Sequence, residues 1–273
     1  WNWTGRETAK GLFLAFLFVA WVIARVAMMS GTGMLGLAAA ADLVFAGGLF
    51  FAIARPVVKV RQGRQFPVLL LLVLLFLANL SFYLGAAGLL ASGVRLGVHG
   101  GLYVVLGMVL FMGRRVIPFF TQRGVGYPVE LKNERWNDIA TMIIFPQFTI
   151  SELLWPYQTV GAVLAAALFV LNSRRIRGWH TLGVWQKPLL WGLFISFTMI
   201  NLGFLLRAFM PVTAIPPLLP VHAYAVGGIG MITVSMMARV TLGHTGRNVH
   251  KSPLVLVILL GGMLLTTVIR IFL

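Results

Sequence analysis

Residues 222–247 read HAYAVGGIGMITVSMMARVTLGHTGR, and this stretch decides the fold. No charged side chain interrupts it between His222 and Arg239. Together with the apolar residues just before it, it predicts a helix long enough to cross the roughly 30 Å hydrocarbon layer of a bilayer. A span needs only apolar length. The histidine at one end, the glycines Gly227, Gly228 and Gly230, and the basic His-Thr-Gly turn at the other end therefore call for a second explanation, and a bound cofactor supplies one.

Composition extends the reading to the whole chain. With 59% hydrophobic residues, 10% charged residues and a mean hydropathy of +0.93, the 273 residues cannot hide their apolar surface in a water-soluble core. The partner is the lipid bilayer. A net charge of +16 would suggest nucleic acid in a soluble domain. Here the lysines and arginines fall in short loops between apolar runs, which excludes a nucleic-acid partner in favour of membrane topology. The chain has no cysteine, so any transition metal must rest on His, Met, Asp or Glu. It begins at Trp1, without an initiator methionine or a cleavable signal pattern, as expected of a fragment of a longer membrane domain.

Runs of about 18 or more residues with few charges predict an all-α, polytopic transmembrane helix bundle of about nine spans. They cover 11–29, 33–54, 66–90, 96–112, 138–154, 157–172, 188–209, 218–238 and 252–272. Pro146, Glu152 and Pro156 interrupt the fifth and sixth, which could instead be a broken pair of short helices or a re-entrant segment. Alternating the loops between two sides places 18 of 22 basic residues on one side and leaves only Arg25, Arg95, Arg207 and Arg270 on the other. The positive-inside rule makes the basic side cytoplasmic. The connection 113–137 mixes aromatic and basic residues and reads as a loop lying at the headgroup level. No soluble domain or repeat stands out, so residues 1–273 read as one transmembrane domain.

Five histidines could carry chemistry. His99 and His222 each lie about 6 Å below the less basic end of their predicted helix, at 1.5 Å per residue. Two imidazoles at one depth on different helices are what bis-histidine haem, or a haem facing copper, requires; the alternative is that each hydrogen-bonds a neighbouring helix. Gly227 and Gly228 follow His222, and Gly97, Gly100 and Gly101 surround His99, making room for something flat or for another helix. Arg25, Arg95 and Arg207 end spans on the same side, where haem carboxylates would seek charge-assisted bonds or, equally, lipid phosphates would be met.

His244, at the far end of the eighth span, cannot share a site with His222. Its choices are an anion, proton or second-metal role, or a plain basic helix stop. Asp42 is the acid deepest inside a span, which marks a proton route, a partner for a ligand histidine, a hidden salt bridge or a protonated acid bonded between helices. Glu152 is expected to be solvated near a surface. His180 and His250 read as juxtamembrane loop residues, and the methionines as packing or lipid-facing residues.

The block quoted above, together with WNWTGR at 1–6, GRRVIPFFT at 113–121 and RGWHTL at 177–182, closely resembles the NnrS family along essentially the whole chain. The resemblance implies a bacterial inner-membrane protein containing haem and copper and linked to nitric oxide and nitrosative stress. Members of that family have about twelve spans, two of them preceding the WTGR segment with a His-Glu motif, and usually one more at the C-terminus, none of which this chain has. Counting the two missing spans puts His99 on the sixth helix and His222 on the tenth, positions that supply ligands in haem-copper oxidases, so the resemblance implies a bundle of that kind.

The leading expectation is a haem/copper membrane protein that binds or redox-processes nitric oxide or protects iron centres. His222 and His99 are the ligands, Arg207, Arg95, Gly227 and Gly228 line the cofactor, and His244 is a further metal candidate. The alternatives are a permease that uses Asp42 and broken helices, or a cofactor-assembly protein. The residues assign neither an enzymatic turnover nor a redox partner.

Overall fold

The computed structural model describes residues 9–61, 63–249 and 252–272. Every long element among them is a helix: α1 (Gly11–Met29), α2 (Leu35–Lys59), α3 (Phe66–Ala86), α4 (Gly93–Gly124), α5 (Arg135–Leu154), α6 (Thr159–Trp179), α7 (Pro188–Phe209), α8 (Leu218–His222), a π-helical stretch (Ala223–Gly230), α9 (Met231–His244) and α10 (Leu254–Phe272). Eight stretches are long and apolar enough to cross a membrane, with α8, the π segment and α9 forming one of them. The chain is an all-α, multi-pass membrane protein. The segment WNWTGR and His250 fall outside the described residues.

The ninth predicted crossing, α5, lacks that hydropathy but not the length. Its 20 residues extend about 30 Å. Its first turn meets the last turns of α6, where Arg174 bonds Glu134 and Arg175 bonds Asp138. At its other end, Glu152 lies against Gly161 in the first turn of α6. The two helices are thus antiparallel over their whole length, and α5 crosses wherever α6 does. Its hydropathy is low because Asp138 and Glu152 count as free charges, although both are paired and buried. Pro146 sits inside a continuous α5 and Pro156 falls in the turn after it, so neither a broken pair nor a re-entrant segment forms.

The chain divides into two compact units, 1–108 and 109–273, with the boundary inside α4. In the first, α1 turns into α2 through Gly31, whose φ of 96° suits glycine. The helices then pack on small residues: Ala24, Ala27 and Ala38 are buried, and a side chain at Gly48 would strike Leu17. Helices α3 and α4 approach closely at Gly85, Gly93 and Gly97, where any Cβ would strike the facing helix. Small-residue seams of this kind let helix backbones pack by dispersion where lipid removes the hydrophobic drive.

The second unit is built around α7. Of its most apolar stretch 61% is buried, against 11% for α2. Helix α6 covers one flank of α7, while the π segment, α9 and α10 cover another. Aromatic rings bind α5, α7 and the π segment: Phe204 lies 5.5 Å from Phe148 and 5.1 Å from Tyr224, centroid to centroid. Gly203 and Gly192 make room for Tyr224 and Ser235 respectively.

Several boundaries differ from those read off the sequence. Helix α4 continues through Arg114 and Arg115 to Gly124, so only 125–134 of the predicted 113–137 loop is non-helical. Helix α6 likewise carries Arg174, Arg175 and Arg177 inside its last turns. Charge ended the predicted spans, but Arg114, Arg174 and Arg175 find carboxylates on α5 or its N-cap and do not need to leave the helix.

Candidate functional site

In the first unit, Asp42 on α2 is the acceptor that ties three helices together. Arg25 of α1 reaches its Oδ2 at 2.6 Å, and the Tyr83 hydroxyl of α3 donates to the same oxygen at 3.0 Å. Of the roles open to Asp42, the structure displays the hidden salt bridge. A carboxylate among apolar side chains is costly unless paired and hydrogen-bonded, and here it is both.

His99 lies on α4, half-buried, with Nδ1 3.1 Å from the Arg95 carbonyl one turn earlier. A carbonyl only accepts, so Nδ1 carries the proton and Nε2 keeps its lone pair, the form in which imidazole ligates a metal. Its glycine neighbours divide. Gly97 packs on Phe82 and Ala78, whereas a Cβ at Gly101 would meet nothing within 4 Å.

His222 ends α8, and the eight π-helical residues begin directly after it. Its ring is half-buried and receives no hydrogen bond among the described residues. π turns use i→i+5 bonds and concentrate at functional positions. The glycine cluster does not signal this one, since glycine fits either helix type; it signals close approach instead. Gly227 is closed by Met199 of α7 and Thr267 of α10, and Gly228 by Ile200 of α7, so their missing side chains admit neighbouring helices.

Arg207, near the C-terminal end of α7, is 2% exposed. Its Nη2 donates to Glu152 Oε1 at 2.6 Å and to the Gln158 carbonyl at 3.0 Å, and its Nε donates to the same Glu152 oxygen at 3.0 Å. Gly161 is required here, because any side chain would land on Glu152. Glu152 was expected to be solvated and is 5% exposed. It is buried against the Arg207 guanidinium, whose N–H groups stand in for water.

A second ionic cluster was not foreseen. Asp138 on α5 accepts from Arg114 of α4 at 2.9 Å and from Arg175 of α6 at 2.8 Å, while Asn172 Oδ1 accepts from Arg175 at 3.0 Å. The pair Glu134–Arg174 lies just outside it, and the bond from Arg174 holds the Glu134 carboxyl below its usual range.

His244, exposed at the last residue of α9, is separated from His222 by roughly 30 Å of helix. His180 accepts a bond from Trp185 Nε1 at 3.1 Å in the turn after α6. Among the described residues no three His, Asp or Glu side chains converge as a metal cluster.

Fold and side chains together define a polytopic α-helical membrane protein whose bundle is braced by buried carboxylate–guanidinium pairs. The family model described as "NnrS protein" matches residues 1–273, and the chain belongs to that family. No curated protein and no solved structure matches it.

Proposed function

We propose that this chain is a haem/copper membrane protein of the nitric oxide and nitrosative stress response, set in the bacterial inner membrane with its basic loops cytoplasmic. The observation that carries the cofactor is His222, an imidazole with no hydrogen bond among the described residues, placed where the helix widens into π turns. Nitric oxide enters through family membership.

The donor chemistry fits at the two histidines. His222 is unengaged, and His99 has its Nε2 lone pair exposed by the Nδ1 bond to the Arg95 carbonyl. Neutral imidazole suits haem iron and copper alike. In this reading His222, in the second unit, and His99, in the first, are each a ligand candidate, and Arg95 supplies a cation one turn from His99. Arg207, Gly227 and Gly228 act one step back: Arg207 ties α7 to Glu152 of α5, and the two glycines seat the stretch after His222 on α7 and α10. The haem or copper supplies the site that nitric oxide binds. The chain contributes the imidazoles. The permease reading draws on Asp42 and Glu152, and both are held by arginines. His244 remains a candidate only for a separate metal or anion at the other end of its span.

The test is the absorption spectrum of full-length protein purified in detergent after expression with ample haem. A Soret band that shifts with nitric oxide and is lost in His222→Ala and His99→Ala is the expected result. Absence of the band, or a spectrum unchanged in the double variant, overturns the proposal.

A further inference from the structure

At the end of the second unit where α7 begins, a cavity of about 290 Å³ opens between the last turn of α4, the start of α7 and the last turns of α9. Three cations line it, Arg123, Lys187 and Arg239, and no acid does. None of the three forms an ion pair among the described residues. Arg239 stands out. Its guanidinium lies 4.2 Å from the Phe120 ring centroid, and its Nε is buried with no hydrogen-bond partner. Arg123 is held in the same way over Phe119, also at 4.2 Å.

Elsewhere in this unit a buried guanidinium has a carboxylate, as Arg175 has Asp138 and Arg207 has Glu152. A cation with an unfilled buried donor is costly, and the deficit is one of negative charge. Helix ends do not supply it. The N-terminus of α7 adds about half a positive charge, the C-termini of α4 and α9 remove about half each, and about two and a half positive charges remain. The stacked guanidiniums are fork-shaped donors suited to phosphate oxygens. The other walls are apolar, with Phe119, Phe120, Leu189 and Leu190 among them. At roughly 30 Å³ per water, the cavity has room for a phosphate with its attached glycerol.

We infer that this cavity is an anion site for a phosphate group, contacted by Arg239, Arg123 and Lys187, and belonging either to an acidic phospholipid head or to a free phosphate. The inference does not depend on the haem/copper reading, because the cavity and His222 lie at opposite ends of the span that runs from α8 to α9.

The experiment uses full-length protein, delipidated in a neutral detergent, with its melting temperature followed against phosphatidylglycerol, phosphatidylcholine and inorganic phosphate. A saturable rise with phosphatidylglycerol but not phosphatidylcholine assigns a lipid head; a rise with inorganic phosphate assigns a free anion. Either should weaken at least tenfold in apparent affinity in Arg239→Gln. It should weaken equally in Gly243→Leu, which keeps all three cations but puts a side chain where a Cβ meets nothing within 4 Å. If Arg239→Gln does not fold, Gly243→Leu decides alone. No rise with either phosphate compound, or a rise undiminished in the variants that fold, overturns the inference.

Discussion

At the Phe209 end of α7, Arg207 is almost wholly buried and Glu152 lies 2.6 Å from it; at the Pro188 end, Arg239 lines a cavity with Lys187 and Arg123 and has no carboxylate. Both ends place a guanidinium among apolar side chains. One completes the charge within the chain and the other leaves it to something else. The difference teaches where this bundle is self-sufficient: ion pairs brace α5, α6 and α7 from inside, while the basic end is built to be completed from outside.

Removing Glu152 should break that contrast most strongly. Glu152→Ala leaves Arg207 buried without its anion, and a loss of about 3–5 kcal/mol is expected in chemical unfolding in detergent. The double variant Glu152→Leu with Arg207→Met should recover most of it, since the expense lies in the orphaned charge; a single variant that unfolds like the wild type would remove one side of the comparison. Asp138→Asn should come next, at about 2–3 kcal/mol in the same measurement, because Arg175 keeps hydrogen-bond acceptors in Asn172 and the new amide but loses its counter-charge. Arg239→Met, measured without phosphate or acidic lipid, should cost no more than about 1 kcal/mol, the scale of its contact with Phe120. A large loss there would mean that Arg239 is already neutralised within the chain.

The smallest effect belongs to Glu134. Its folded value is lowered by the bond from Arg174, so any stability it contributes is full above the ordinary carboxylate range and fades as pH falls through the lowered value. The pair lies at the surface, with Arg174 exposed and Glu134 half-buried. Glu134→Gln should therefore leave the acid unfolding curve superimposable on that of the wild type.

The helical crossings were legible because apolar length is a one-dimensional property. What lies between them was less so. Arg114, Arg115, Arg174 and Arg175 look like span ends when read along the chain, yet the structure keeps them helical. Asp138 and Glu134, which hold three of them, come from the start of α5, a pairing that no local window contains. Glu152 and Arg207 are 55 residues apart and meet only once α5, α6 and α7 are folded together. The glycines beside His222 did signal close approach, and the structure shows helices making it. The histidines could be placed in depth by counting, but the wide turns after His222 could not, because glycine and alanine fit either helix type.

Those turns have a further consequence. Each π turn holds one residue more than an α turn does. The stretch from Ala223 to Gly230 is thus in effect an insertion retained in an otherwise ordinary helix. Deleting a single residue there has a defined landing state, a regular α-helix with its flanking faces little changed, whereas straightening the stretch into α turns with every residue kept would swing one side by about 100° or more about the axis relative to the other. His222 and the α9 residues packed on α7 keep their present faces, with the surplus residue in place, only while that residue is held in π turns. The orientation of that imidazole therefore depends on the wide turns surviving, and whatever straightens them turns the ring.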